Sequence, residues 1–408
     1  MSKLIHIDFI PNFQQDDYRV VARSLFARGQ VDPRHEERIR AKLHELFPRG
    51  EAFLFSSARG ALSAFLRFYL NQTPRKEVLT QGYSCLVVPN AIRAAGGTSV
   101  FVDIKAGSVN MSADDLKRKV SREAAALIIQ NTFGFPADYD RLLEIARTEN
   151  LLVIENLAHA LGARLRGQLL GTFGDVALLS FGRSKVISSM VGGAVVINNR
   201  KLAEEFRAYY GALSYPSAAW TLKQLGHAFV SWHAKQHYRT VGKPLMAALR
   251  RLRLSSFEIE PAERRGALPA QWLTKFPPAL APLLAHQLGK LDSLNTHRVR
   301  IANIYRGAGV LPCTEITTES EPIYLRYPMF TTYPERVLGQ AKRQGIYLGN
   351  WYGSVLAPAR ERLDRFGYLY GMCPEAEKLA LGSYNLPTNI DVSPDDAHRI
   401  SELARTNI

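Results

Sequence analysis

The chain has 408 residues, 46% apolar content and a net charge of +15, long enough to bury a large core and to carry a second, smaller domain. Its three cysteines, Cys85, Cys313 and Cys373, are widely spaced and have no histidines at metal-ligand intervals, which argues against a disulfide framework or a zinc site, so no metal is expected. No stretch reaches the ~18 apolar residues of a membrane span, and Met1 to Asp8 lacks the apolar core of a signal peptide, so a cytoplasmic chain is expected.

In chain order, Phe55-Ser56-Ser57-Ala58-Arg59-Gly60-Ala61-Leu62 puts small residues at the opening of a helix whose free N–H groups suit a phosphate. Strands are expected at 77–81, 98–104, 125–131, 151–156, 176–181 and 193–198, separated by helical patterns such as Ala137 to Asn150. This alternation predicts an α/β fold with a doubly wound, mixed and mostly parallel sheet between helices. A helix near 278–310 should lead away from it. Beyond, a strand at Tyr327 to Thr332 and a helix from Glu335 to Gly345 read as a smaller α/β unit. The expected division is 1–290 for the large domain and 291–408 for the small one.

Leu151-Leu152-Val153-Ile154-Glu155-Asn156 reads as a buried parallel strand that delivers its last side chains to a site. Ser180-Phe181-Gly182-Arg183-Ser184-Lys185 is a strand running into a polar turn that ends in a lysine, and Val191-Gly192-Gly193 follows as its exit. An amine where the C-terminal edge of a parallel sheet opens is placed to form a Schiff base with an aldehyde cofactor, which points to pyridoxal 5'-phosphate (PLP). Gly171-Thr172-Phe173-Gly174-Asp175-Val176 is expected near the same site.

Further motifs follow one another along the chain. Arg28-Gly29-Gln30-Val31 precedes a charged helix, and Ser57-Ala58-Arg59-Gly60-Ala61-Leu62 stands for S-G-T-x-A-L. Gly134-Phe135-Pro136-Ala137-Asp138 matches G-x-P-A-D, and Cys373 to Ala380 and Leu386-Pro387-Thr388-Asn389 close the series. The series resembles the DegT/DnrJ/EryC1/StrS family of PLP-dependent sugar aminotransferases, of transferase fold type I. The resemblance implies Lys185 as the catalytic Schiff-base lysine, and Ser180 with the backbone of Ala58 and Arg59 at the cofactor phosphate. His159, at the family's glutamine position, is implied to lie near the cofactor ring. Asn156 stands where the family has an aspartate facing the pyridine nitrogen. Cys85 replaces an aromatic that stacks on the ring, leaving stacking to Tyr83 or His159. A homodimer, an amino acid donor such as glutamate and an anionic acceptor of the nucleotide-sugar type are implied too. The glycine-asparagine-arginine segment that relatives send into the neighbouring subunit is absent, with Lys275-Phe276-Pro277-Pro278 near its place. A sugar dehydratase of the same family and a non-catalytic or regulatory protein keeping the fold remain as alternatives.

Residues 215–275 fit the resemblance worst. They hold ten Lys or Arg against three Glu, interleaved with Trp220, Phe229, Trp232 and Tyr238. One reading is a helical insertion packed on a dimer partner. Another is peripheral contact of 220–255 with an anionic membrane surface. Nucleic acid is not an expected partner.

Overall fold

The computed structural model describes residues 4–26, 32–252, 254–359 and 361–406. The motif Arg28-Gly29-Gln30-Val31 and Arg253 of the basic segment lie outside the described residues. Seven strands form the central sheet: β1 (Glu51–Phe55), β2 (Glu77–Gln81), β3 (Thr98–Val102), β4 (Ala124–Gln130), β5 (Leu152–Asn156), β6 (Val176–Ser180) and β7 (Gly193–Ile197). Their order is β1-β7-β6-β5-β4-β2-β3. Only β7 runs antiparallel to its neighbours, β6 and β1, and the other pairings are parallel. Every residue of β4 and β5 is buried, as parallel strands covered by helices on both faces require.

The six expected strands are all present, the one at 77–81 with both ends as expected and the others with ends no more than two residues away. β3 stops at Val102 because Asp103 turns its carboxylate onto the N–H groups of Glu375 and Ala376, each at 2.9 Å, at the start of the helix Pro374–Gly382. β1 was not expected. The helix expected over 278–310 is broken into Ala281–Gly289 and Leu291–Gly307, with the poor helix former Gly289 at the break. Beyond it, Tyr327–Phe330 pairs antiparallel with Ser383–Leu386. At the other end of the chain, Ile5–His6 pairs in parallel with Ile346–Tyr347, so the first strand joins this C-terminal unit.

The segment Gly171 to Gly174 does not reach the site. Its N–H groups from Gly171, Phe173 and Gly174 converge on the buried Glu155 carboxylate at 2.6–2.8 Å, and Tyr139 donates its hydroxyl to the same group. The anion these amides hold is a side chain of β5 itself.

Residues 215–275 form a helix, Ala218–Gln236, then a π turn, Tyr238–Gly242, and a second helix, Lys243–Arg251. The aromatic residues of the first helix pack on this same chain. Trp232 lies against Phe13 and Tyr18, Phe229 against Tyr18, and Trp220 edge-on to Trp272. Lys235, 8% exposed, pairs with Asp391 at 2.6 Å and bonds the carbonyl of Ile10. One cation thus ties the insertion to the N-terminal strap and to the C-terminal unit.

Candidate active site

The C-terminal ends of β4, β5 and β6, the start of the helix Ala58–Leu70 and the C-terminal unit enclose one cavity. Ala58, Arg59, Cys85, Asn156, His159, Ser180 and Lys185, the expected site residues, all line it.

The helix start is shaped for close approach. Ser57 caps it by accepting the N–H of Gly60 at 3.0 Å. A Cβ on Gly193, opposite Ser180 in the β6–β7 ladder, would come 2.3 Å from the nitrogen of Ala58, so only glycine lets β7 pass there. Ala58, Arg59 and Ser180 therefore share one corner of the cavity.

Lys185 Nζ lies 3.0 Å from Nε2 of His159. The other ring nitrogen, Nδ1, accepts the N–H of Phe133 at 3.3 Å, so the proton of a neutral ring sits on Nε2. Burial, reinforced by the charge of Lys185, drives the His159 pKa well down and keeps the ring neutral. With that tautomer, Nε2–H can donate to Lys185 Nζ whenever the amine is unprotonated. Burial likewise lowers the Lys185 pKa, against an opposing pull from Glu258. His159 lies nearly parallel to Phe133, at 5.8 Å and 8°, and to Tyr352, at 5.9 Å and 24°, in a three-ring cluster whose other two members are 5.4 Å apart.

Asn156 closes β5. Its Oδ1 accepts the N–H of Ala158 at 3.1 Å, an assignment fixed by the donor, so Nδ2 is the group the carboxamide can offer to the cavity. Cys85 is partly exposed, and burial raises its thiol pKa. Tyr83 is not a stacking residue. It is fully buried outside the cavity, donating its hydroxyl to Ser383 Oγ at 2.8 Å and accepting the N–H of Tyr352. Tyr352 and Trp351 line the cavity in its stead.

The insertion supplies a wall that sequence reasoning missed. Phe257, Glu258, Ile259 and Trp272 line the cavity. Glu258 accepts a 2.5 Å hydrogen bond from Ser184 Oγ. Arg183 reaches Nε2 of His227 at 2.6 Å and the carbonyl of Ser256 at 3.1 Å. Arg59 pairs with the buried Glu263 at 2.5 Å, donates to the Glu258 carbonyl at 2.8 Å and lies over the Trp272 ring. The nearby Lys275 turns away, bonding the carbonyl of Gly211 and lying over the rings of Tyr210 and Tyr215. Arg326 was missed too, though an arginine inside Tyr324-Leu325-Arg326-Tyr327 was a readable signal. Elsewhere, Asp16, Asp17 and His286 gather at metal-ligand distances, but Lys290 Nζ already sits 3.0 and 2.9 Å from the two carboxylates.

This lysine-centred cavity lies at the strand ends of a sheet characteristic of the fold-type-I transferases. A putative sugar aminotransferase from Streptococcus pneumoniae, solved in its PMP form, superposes with a TM-score of 0.76 over 100% of this chain and 97% of that one, at 19% identity. The profile of the DegT/DnrJ/EryC1/StrS aminotransferase family matches residues 12–270, and the chain belongs to that family. It is 33% identical over 135 residues to the GDP-perosamine synthase of Escherichia coli O157:H7, and 34% identical over 130 residues to the dTDP-4-dehydro-2,6-dideoxy-D-glucose 3-dehydratase of Saccharopolyspora spinosa. These matches cover 33% and 32% of this chain, and only 37% and 28% of the relatives' own lengths.

Proposed function

We propose that the protein is a PLP-dependent aminotransferase that moves an amino group from an amino acid such as glutamate to a keto-sugar, nucleotide-linked, in polysaccharide or secondary-metabolite biosynthesis. The observation that carries this reading is the half-buried Lys185, whose amine lies 3.0 Å from His159 Nε2 in the cavity at the strand ends. The donor set fits the cofactor: a capped helix start at Ala58 and Arg59 beside Ser180 for its phosphate, a histidine and Tyr352 for its ring, and the Asn156 amide for its ring nitrogen. Bound PLP supplies an aldehyde that takes up amino groups and a conjugated ring that draws electrons from the donor's α-carbon.

In this reading Lys185 is the nucleophile, its pKa lowered by desolvation, and afterwards carries a proton at Nζ. His159 fixes its direction and donates from Nε2. Asn156 orients the ring nitrogen without supplying an anion. Trp351, Tyr352 and the 257–272 wall exclude water. The dehydratase in the same family is the second reading, and it rests on the similarity to the Saccharopolyspora enzyme. The test is the visible spectrum of protein loaded with PLP. A band that is absent in Lys185→Ala and fixed by borohydride in the wild type is expected, and a wild type without such a band overturns the reading.

We also propose that the chain divides near residue 290 and works as a homodimer in the cytoplasm, at an anionic membrane surface. Tyr333, Tyr370 and Leu381, 70–81% exposed beside one open groove, support a partner face. Val241, Leu252 and Leu254, 62–66% exposed near Lys243, Arg250 and Arg251, support the membrane contact. Among the described residues no helix is long and apolar enough to cross a membrane. Sedimentation and co-pelleting with anionic vesicles test the two contacts.

A further inference from the structure

The insertion reaches the lysine turn through one side chain. Ser184, the residue before Lys185, is buried and donates its hydroxyl to Oε1 of Glu258 at 2.5 Å, across 74 positions of chain. Glu258 and Lys185 line the same cavity. Glu258 is itself held in place. Its backbone carbonyl accepts Nη2 of Arg59 at 2.8 Å, and the carbonyl of Ser256, two residues earlier, accepts Nη1 of Arg183 at 3.1 Å. Arg59 has a carboxylate of its own in Glu263 at 2.5 Å, whereas Arg183 bonds Ser256 and the His227 ring, which burial keeps neutral. Burial lowers the Lys185 pKa, and of the groups whose charge acts on it, Glu258, Cys85, Arg326 and Arg59, Glu258 opposes that shift most. The remaining titratable neighbour, His159, is neutral.

A short bond from a hydroxyl to a carboxylate is charge-assisted and directional, so each partner fixes the other. The rest of the turn is fixed as well. Lys185 donates its N–H to the carbonyl of Gly182 at 3.2 Å, and its own carbonyl accepts Nδ2 of Asn12 at 2.6 Å. The Ser184–Glu258 bond is the tie that joins this pinned turn to the cavity wall. A full negative charge in that wall also favours a proton on a neighbouring amine, which desolvation alone would disfavour. We propose that Glu258 is a positioning residue for Lys185, by which the insertion pins the lysine turn and keeps a counter-charge at hand when the amine carries a proton. Its use in the reaction rests on the aminotransferase reading of the site.

The test uses the full chain, treated with hydroxylamine to free the lysine, as wild type, Glu258→Gln and Ser184→Ala. Trace acetic anhydride labels an amine in proportion to its uncharged fraction, and mass spectrometry of the Lys185 peptide from about pH 6 to 11 gives the labelling midpoint. Glutamine still accepts the Ser184 hydroxyl but carries no charge. The Glu258→Gln midpoint should therefore fall by about one pH unit, the low end for the loss of a close opposite charge. Ser184→Ala keeps the charge and loses one charge-assisted bond, so amides of 182–186 should exchange roughly 10- to 150-fold faster. A midpoint within about a third of a unit of wild type in folded Glu258→Gln protein overturns the proposal, as does unchanged exchange in Ser184→Ala. If the thermal melt shows that Glu258→Gln does not fold, the exchange of Ser184→Ala decides alone. A wild type that forms no band with PLP sinks the aminotransferase reading separately and leaves both measurements on Glu258 standing.

Discussion

Replacing Glu263 by glutamine should loosen one wall of the cavity while leaving the central sheet intact. The Glu263 side chain is fully buried, and both its oxygens take Nη1 of Arg59, at 2.5 and 2.6 Å, while one also accepts the N–H of Glu260. Removing one charge of a buried pair costs about 3–5 kcal/mol. A glutamine oxygen can still accept one bond, and Arg59 keeps the Glu258 carbonyl and the Trp272 ring, so about 2–4 kcal/mol is expected. At about 1.4 kcal/mol per factor of ten, amides of 255–272 that exchange by local opening should lose protection by roughly 30- to 700-fold. Hydrogen exchange read by mass spectrometry on wild type, Glu263→Gln, Arg59→Met and the double variant makes the assay. Arg59→Met leaves the carboxylate buried and unpaired, so the double variant should be better protected than Arg59→Met alone. Exchange in Glu263→Gln within threefold of wild type, or a strictly additive cycle, would refute the reasoning.

The other predictions concern packing, pH and the ring-nitrogen partner. In Gly60→Ala the new Cβ would lie 1.6 Å from the Trp272 carbonyl oxygen; the wall must shift, at a cost of about 1–3 kcal/mol, and faster exchange confined to 255–272 and the helix start is the check. Burial lowers the His6 pKa to about 4, while its Nδ1 accepts the N–H groups of Asp8 and Phe9. A base depressed on folding gives stability that is complete above its unfolded pKa near 6.5 and is lost as pH falls toward 4. Wild type should therefore lose at most about 3 kcal/mol more than His6→Gln across that window in denaturation curves. Asn156→Asp can keep the Ala158 N–H and add an anion toward the ring nitrogen, which should raise transamination by about 5- to 30-fold; an unchanged rate and cofactor spectrum would count against that role for Asn156.

The sheet was legible because its inner strands are continuous apolar runs: β4 reads as Ala-Ala-Ala-Leu-Ile-Ile-Gln and could hardly lie anywhere but between two layers of helix. β1, Glu51–Phe55, was not, since five mixed residues beside Gly50 carry no periodic signal. Lys185, Asn156 and His159 were readable because each follows a strand end at short range. Glu258 meets Ser184 across 74 positions and Glu263 meets Arg59 across 204, and no local pattern in 255–272 announces either contact. Between Tyr83 and His159, the two residues left to stack on the cofactor ring, sequence alone could not choose, because the hydroxyl partner that holds Tyr83 outside the cavity, Ser383, is 300 positions away.

The excess of positive charge does not by itself make the cavity an anion site. Arg59 is neutralised by Glu263, and one arm of Arg326 by Asp8. The Lys185 pKa is lowered by burial, and Arg183 is engaged by His227 and the Ser256 carbonyl. Much of the insertion's charge, at Lys243, Arg250, Arg251, Arg264 and Arg265, is exposed, where salt screens it within about 8 Å at physiological ionic strength. Such charges can speed the encounter with an anionic sugar nucleotide, but they cannot choose which carbon of a ligand comes to Lys185. That choice falls to groups that are dry and directional, and the Asn156 amide, its Oδ1 held by the Ala158 N–H, answers that description. Under the aminotransferase reading, selectivity would therefore rest on directional groups inside the cavity, with the basic surface governing how fast a ligand arrives.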